Sequence, residues 1–293
     1  MLFNSIEFLF FLPLVFTVYW LILGGGGKCK NIFIVAASYV FYGWWDWRFL
    51  FLMALTTFCS YFSGILLVKY DTYPLRRKWI CGGNILLNLL ILGYFKYYNF
   101  FGENFAAFFR MLGWEVDWVT RDILLPVGIS FYTFQALSYT IGVYRRKMFP
   151  THDVVAFFAF ISFFPQLVAG PIERATHLLP QFLKPRVFSY AAAVDGMRQI
   201  LWGLFKKMVV ADNCADAVNE IFANYQTADG MQLFLGALFF TFQIYGDFSG
   251  YSDIAIGTAR LFGVDLMRNF SYPYFSRDIA EFWRRWHISL TTW

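Results

Sequence analysis

The chain has 293 residues, of which 59% are hydrophobic, 23% aromatic and only 15% charged, with a formal net charge of +5. An ordinary soluble domain is about 25% charged, and a water-soluble chain of this length cannot bury so much apolar surface. The composition therefore excludes a soluble globular protein, a disordered chain and a small disulfide scaffold. It predicts an all-α polytopic membrane protein, whose positive charge belongs to cytoplasmic loops rather than to a nucleic-acid surface.

Apolar runs predict the membrane segments. They cover residues 8–23, 32–45, 49–68, 79–95, 123–143, 154–169, 231–245 and 254–264. Several fall short of the ~20 residues that a spanning helix needs, so tilted, re-entrant or protein-buried helices are expected. Residues 100–122 are predicted to form an amphipathic helix in the membrane interface. Three glycines, Gly246, Gly250 and Gly257, are expected to let the backbone break within the last two runs.

Basic residues indicate which connections face the cytoplasm. Lys28 and Lys30 follow the first run, residues 76–78 follow the third and residues 145–147 follow the fifth. The alternating connections are poorer in Lys and Arg. The positive-inside rule therefore places the N-terminus outside the cytoplasm.

Residues 24–28 are four glycines and a lysine. They lack the Ser or Thr and the preceding strand of a phosphate-binding loop, so a flexible loop is predicted. No internal repeat or soluble segment is present. We therefore predict one transmembrane domain over residues 1–293.

Residues 276–290 carry the strongest chemical pattern. They predict one helix with Ser276 as N-cap, in which Glu281 reaches Arg284 and Arg285 one turn later. One helical face would carry a stripe spaced by three or four residues: Trp283, Trp286, His287 and Leu290. A neutral imidazole in an apolar pocket can take a proton from a hydroxyl that attacks a carbonyl. The alternative is a core histidine that bonds a neighbouring helix.

Two further segments place polar groups among apolar residues. Gln135 lies on a helical stripe with Tyr132 and Tyr139, a pattern typical of helix packing or of a cavity wall. Residues 164–174 contain two prolines and a glycine, which predicts a broken helix. Gln166, Glu173 and Arg174 are available there to line a cavity. The alternative is a helix-ending turn with a surface ion pair.

Asp247 and Asp253 lie within an apolar run. Ionisable groups in a membrane segment are expensive, so both are candidates for lining a functional cavity. Arg260, seven residues after Asp253, is a candidate partner on the same face. The alternative is a structural ion pair between helices.

Five segments occur in the order that characterises one known family. They are residues 1–5 with 8–20, 125–139, 165–174, 247–257 and 281–290. On these segments the chain resembles the membrane-bound O-acyltransferases, specifically the bacterial branch that includes alginate O-acetyltransferase. One such segment alone is weak evidence of a relationship, but five segments in the same order over the whole chain are specific for this family.

The resemblance implies a helical bundle around a tunnel in the bacterial inner membrane, in contact with membrane lipid. It implies acyl transfer from a cytoplasmic thioester, acetyl-CoA by expectation, to a hydroxyl of an exported envelope polysaccharide such as alginate, or to a periplasmic relay protein. The thioester is already activated, so no bound metal or cofactor is expected.

The resemblance also implies roles for individual residues. His287 matches the family's histidine, and Arg284 and Arg285 match its basic residues. Donor or tunnel binding is expected of a wider set: Arg284, Arg285, Trp286, Gln135, Gln166, Asp247 and Asp253. For Gln166 and the two aspartates this expectation rests on their residue types, because the family assigns them no role.

One family segment is missing. Family members continue into further membrane helices and a second histidine, whereas this sequence stops at Trp293. The chain is therefore expected to be a fragment, a truncated product or one half of a split enzyme. Three alternatives stay open: D-alanyl transfer in teichoic acid modification, an inactive remnant, and an export or transport subunit.

Overall fold

The computed structural model describes residues 1–23, 26–114, 123–168 and 170–293. In these ranges every regular element is a helix, which confirms the all-α prediction. The α-helices are α1 Ile6–Thr17, α2 Gly27–Gly43, α3 Arg48–Lys69, α4 Pro74–Met111, α5 Ile129–Tyr144, α6 Val154–Ser162, α7 Phe164–Leu167, α8 Ala175–Leu183, α9 Tyr190–Leu204, α10 Asp212–Ala223, α11 Gly230–Leu261, α12 Ile279–Arg285 and α13 Ile288–Thr291. Two π-helical turns, Val18–Ile22 and Phe205–Ala211, extend α1 and join α9 to α10.

Two helices, α3 and α4, are long and apolar enough to cross a membrane. Shorter apolar helices cover Ile6–Ile22 and Val154–Leu167. This is the all-α membrane protein that the composition predicts. The segment Val154–Leu167 is buried within the protein, since the side chains of Phe157, Phe160 and Phe163 are all 0% exposed. Helices α2, α3, α5 and α8 pack around it.

Helix α4 is longer than predicted. It has 38 residues and runs without interruption to Met111, so the prediction of a separate interfacial helix starting at residue 100 is wrong. Residues 96–111 contain no proline, and their one glycine, Gly102, is buried, so nothing ends the helix there. The last part of that prediction, residues 115–122, lies outside the described residues, as do residues 24–25 of the predicted flexible loop.

Helix α5 starts later than predicted, at Ile129. Gly128 before it has φ 74°, a left-handed conformation that favours glycine. A methyl group at Gly128 would also collide with the carbonyl oxygen of Leu167. This glycine therefore joins the start of α5 closely to the end of α7.

The predicted break in the last apolar runs is wrong. Helix α11 passes through it as one helix of 32 residues, capped by Asp229 and Gln232. The glycines serve close packing against the antiparallel α9 instead. A methyl group on Gly257 would lie 2.5 Å from the carbonyl oxygen of Gly196, and one on Gly250 would lie 2.8 Å from that of Gly203. Small residues let the two backbones approach this closely.

Candidate active site

His287 lies at a break between two short helices. Helix α12 ends at Arg285, Trp286 is extended, and His287 adopts a left-handed conformation with φ 47° and ψ 52°. The carbonyl oxygen of His287 accepts the backbone N–H groups of Leu290 and Thr291, both at 3.0 Å, so that α13 begins there. The predicted continuous helix is therefore wrong, and its aromatic and imidazole stripe does not form one helical face.

The start of α12 also differs from the prediction. Asp278, not Ser276, is the N-cap, because its carboxylate accepts the N–H of Glu281 at 2.6 Å. The Ser276 hydroxyl instead donates to the carbonyl oxygen of Pro273 at 2.6 Å. The predicted pair of Glu281 and Arg285 is present.

The His287 imidazole packs against an aromatic ring of α11. Its ring packs edge-on against Phe248 of α11, with centroids 4.8 Å apart and an interplanar angle of 82°. Trp286 belongs to an adjoining aromatic cluster, with ring centroids 5.0 Å from Phe270 and 5.5 Å from Phe282. Nε2 of His287 is buried and has no hydrogen-bond partner in the described part of the chain. Burial also lowers the pKa of His287 below its usual 6.5, so the ring is neutral at neutral pH.

A buried polar network holds the His287 segment, and the sequence patterns do not predict it. The Asn269 Oδ1 accepts the Ser289 hydroxyl at 2.9 Å, and Asn269 Nδ2 donates to the Ser252 hydroxyl of α11 at 3.0 Å. The Asn269 carbonyl oxygen accepts the N–H of Ile288 at 2.9 Å. Asn269 thus connects the start of α13 to α11. The only local signal is an amide shortly after the end of α11.

Removing the Asn269 amide should loosen this segment. Asn269→Ala removes the acceptor of the buried Ser289 hydroxyl and the donor to the buried Ser252 hydroxyl, which should lower the free energy of unfolding by about 1–3 kcal/mol. The melting temperature of the purified protein in detergent measures this. Asn224→Ala is the matched control, since its exposed side chain bonds only the Glu220 carbonyl oxygen at 3.0 Å and should cost less than about 0.5 kcal/mol. Equal melting temperatures for the two variants would contradict the role of Asn269.

The turn after α7 reaches the same segment. The N–H of Ile172 donates to the Ser289 hydroxyl at 3.0 Å. Gln166, at the base of this turn, is 1% exposed, and neither its Oε1 nor its Nε2 has a partner among the described residues. Gly170 closes the turn, with its N–H 3.1 Å from the Gln166 carbonyl oxygen. The predicted break at residues 164–174 is thus present, and the segment with the unpaired Gln166 amide also contains Ile172, which bonds Ser289 after His287.

Glu173 in this turn is fully buried and forms a pair with His177. Its Oε1 accepts the N–H of Met267, and its Oε2 accepts from His177 Nδ1 at 2.7 Å. This bond raises the pKa of His177 above its usual 6.5. The sequence patterns assign no role to His177, although its spacing of four residues from Glu173, which lies just before α8 begins, is the signal that could have found it.

The Glu173–His177 pair should make stability depend on pH. Because the pKa of His177 is raised in the folded state, its contribution is complete below pH 6.5 and is lost as the pH rises through the folded pKa. The difference in melting temperature between wild type and His177→Gln should therefore shrink from about pH 5.5 to about pH 9. A constant difference over this range would contradict a charged pair.

The remaining predicted site residues lie elsewhere. Gln135 is 2% exposed, and its Nε2 makes a long 3.5 Å contact with the Phe160 carbonyl oxygen, as expected for helix packing. Tyr132 and Tyr139 on the same stripe are both 0% exposed. Arg285 pairs with Glu281, whereas Arg284 is exposed and has no ion pair within the described ranges.

Asp247 and Asp253 face the π-helical turn after α9 instead of the His287 segment. Asp247 lies 2.8 Å from Lys207 Nζ, and Asp253 pairs with Lys206 and accepts from Gln199 Nε2 at 2.9 Å. The sequence predicts that Arg260 pairs with Asp253. This prediction is wrong, because Arg260 pairs with Asp195. The interhelical ion pairs left open as an alternative are therefore present, and donor or tunnel binding by these aspartates stays a prediction.

His287 does not line either of two cavities in the described part of the chain. One of about 300 Å³ lies between the end of α5 and the start of α8 and is lined by Arg145, Lys147 and Arg174 among others. An apolar groove of about 580 Å³ runs along α4. The tunnel that the resemblance implies stays a prediction. Within the described ranges, no three His, Cys, Asp or Glu residues are grouped so that they could hold a metal ion.

Comparison with known proteins identifies relatives of this chain. A probable alginate O-acetylase, AlgI, of Azotobacter vinelandii is 42% identical over 295 residues, covering 100% of this chain and 58% of that protein. The peptidoglycan O-acetyltransferase of Helicobacter pylori is 32% identical over 323 residues, covering 99% of this chain and 60% of that protein. The teichoic acid D-alanyltransferase of Bacillus subtilis is 28% identical over 183 residues, covering 59% of this chain and 44% of that protein.

The chain spans about half of the length of these relatives, between 44% and 60%. No family model matches it. The helices, the broken turn at residues 164–174 and the His287 segment all lie within the aligned length of the alginate O-acetylase. Over its whole length the chain is homologous to the alginate O-acetylases, which confirms its predicted relationship to the bacterial branch of the membrane-bound O-acyltransferases.

Proposed function

We propose that the protein containing this chain is an O-acyltransferase that moves an acyl group from a cytoplasmic thioester donor to a hydroxyl of an envelope polysaccharide. The names of the three relatives support acyl transfer to the cell envelope. The observation that carries the proposal in this chain is His287 Nε2, which is buried beside the Phe248 ring and has no partner in the described structure. A neutral imidazole nitrogen kept free in this way is available to a substrate hydroxyl.

The reaction needs one proton transfer and no redox step. His287 would take the hydroxyl proton as the hydroxyl oxygen attacks the thioester carbonyl. The new C–O bond forms, the C–S bond breaks, and the imidazolium returns its proton to the departing thiolate. Phe248 packs against the ring, and burial lowers the pKa of His287, which keeps the ring neutral before the reaction.

The neighbouring polar residues are assigned by their charge and exposure. Arg284, exposed and without an ion pair in the described structure, is the cation available to an anionic donor such as acetyl-CoA. Arg285 is already neutralised by Glu281, so its role is to hold α12. Gln166 is assigned to binding a polar group of the donor or acceptor, because its buried amide has no partner in the described structure.

The acceptor class follows from the relatives. Alginate or another exported polysaccharide is the primary proposal, reached directly or through a periplasmic relay protein. D-alanyl transfer to teichoic acid is the second candidate, because the Bacillus subtilis relative at 28% identity carries that name. Both place the protein in a bacterial inner membrane, crossed several times and in contact with lipid. Helices α3 and α4 are the two segments that support spanning.

One assay separates these proposals. The full-length protein in liposomes is offered labelled acetyl-CoA together with alginate, and label in the polysaccharide is the expected result. Transfer of D-alanine from its carrier protein instead would favour the second candidate. Transport of polysaccharide without any acyl transfer would overturn the enzyme proposal in favour of an export subunit.

A further inference from the structure

Two cations are buried side by side where α2 begins. Lys30 is 4% exposed and Arg186 is 7% exposed. Lys30 Nζ lies 3.4 Å from the Arg186 carbonyl oxygen, and the Arg186 Nη2 donates to the Asn31 side chain. Neither cation has a carboxylate within ion-pair distance among the residues that the structure describes. Nε and Nη1 of Arg186 are buried without any acceptor there.

Aromatic rings compensate these charges only in part. Lys30 Nζ lies 4.2 Å from the ring centre of Trp20, and the Arg186 guanidinium lies 5.0 Å from that of Phe182. Both cations also lie near the Tyr19 ring, whose centre is 5.2 Å from Lys30 Nζ and 5.7 Å from the Arg186 guanidinium carbon. A ring face attracts a cation, but it does not accept the in-plane N–H groups of a guanidinium. The Tyr19 hydroxyl donates to the Phe262 carbonyl oxygen at 3.2 Å.

A third positive contribution comes from the start of α2. This helix has 17 residues, and its N-cap, Gly26, provides no side chain to accept the first N–H groups. A methyl group on Gly27 would lie 3.8 Å from the Cα of Pro185, so the segment that carries Arg186 crosses this first turn. The N-terminus of a helix attracts anions through its free N–H groups and its dipole. It therefore adds to the two cations instead of neutralising them.

We propose that Lys30, Asn31, Arg186 and the first turn of α2 form a phosphate-binding site. A buried charge requires a counter-charge, and two cations with a helix N-terminus call for an anion with several acceptor oxygens. A phosphate group can serve the free Nε and Nη1 of Arg186, the Lys30 ammonium and the backbone N–H groups together. The phosphate belongs either to a phospholipid headgroup or to a soluble molecule. This inference is independent of the proposed acyl transfer, because it concerns binding alone.

Thermal unfolding tests the site directly. The full-length protein is purified in detergent and depleted of lipid, and its melting temperature is measured with sodium phosphate, with sodium chloride at equal ionic strength, and with phosphatidylglycerol or phosphatidylcholine. A ligand that binds the folded state raises the melting temperature with concentration. Stabilisation by phosphate assigns the site to a soluble phosphate, and stabilisation by phosphatidylglycerol alone assigns it to a headgroup. No stabilisation by either would overturn the proposal.

Matched variants locate the effect. Arg186→Gln and Lys30→Met should each lower the affinity for the stabilising ligand at least tenfold. Lys184→Gln removes the same charge from an exposed position in the segment that carries Arg186, and it should change the affinity for that ligand less than twofold. Equal weakening in all three variants would show a general surface attraction and would contradict a site. If one buried-site variant fails to fold, the other variant and the wild-type comparison still decide the question.

Discussion

His287→Gln in the full-length protein is expected to lower kcat for acyl transfer by about 10²- to 10⁴-fold, the usual contribution of a general base. Glutamine is similar in size and polarity, but it cannot take and return a proton. The KM for acetyl-CoA should change little, because the ring contacts only Phe248 and its own segment in the described structure. Steady-state transfer of labelled acetyl groups to the polysaccharide gives both constants.

The pH profile adds a second signature of His287. The imidazole acts as a base only when it is neutral, and its burial lowers its pKa below 6.5. The wild-type kcat/KM should therefore fall on the acid side of that value, and this limb should disappear in His287→Gln. His152→Gln is the control, since His152 is exposed and only its carbonyl oxygen is used, accepting from Tyr61 at 3.1 Å. Wild-type kcat in His287→Gln would reject the proposed role.

Gly257→Ala is expected to be strongly destabilising. The added methyl group would lie 2.5 Å from the Gly196 carbonyl oxygen and 3.0 Å from the backbone nitrogen of Ile200. These are main-chain atoms of α9, which cannot rotate away, so the two helices must separate. Overpacking of this kind costs about 1–3 kcal/mol, which exceeds the ~1 kcal/mol that alanine gains over glycine in helix propensity. The melting temperature in detergent should fall clearly below that of wild type.

Gly82→Ala provides a control of opposite sign. Gly82 is also helical, but no atom lies within 4 Å of the position where its methyl group would be. The substitution should therefore raise stability by about 0.5–1 kcal/mol. A Gly257→Ala protein as stable as Gly82→Ala would show that the close contact of α9 and α11 does not form.

The sequence by itself determined the class of this protein and several of its local features. The share of apolar residues predicts an all-α membrane protein because composition alone decides whether a chain can be dissolved in water. The glycine and prolines at residues 164–174 predict a broken helix because they disrupt the helical hydrogen bonds of the residues next to them. The pair of Glu281 and Arg285 follows from their spacing by one helical turn.

The tertiary structure decided which distant groups meet. The sequence predicts that the glycines of α11 are points where the backbone breaks. In the structure, Gly250 and Gly257 instead pack against carbonyl oxygens of α9. Asp253 finds Lys206, 47 residues away, instead of the nearer Arg260. Lys30 and Arg186 are brought together across 156 residues. Periodicity reports only the conformation of neighbouring residues, whereas these pairings are decided by which helices pack together, and that depends on the whole chain at once.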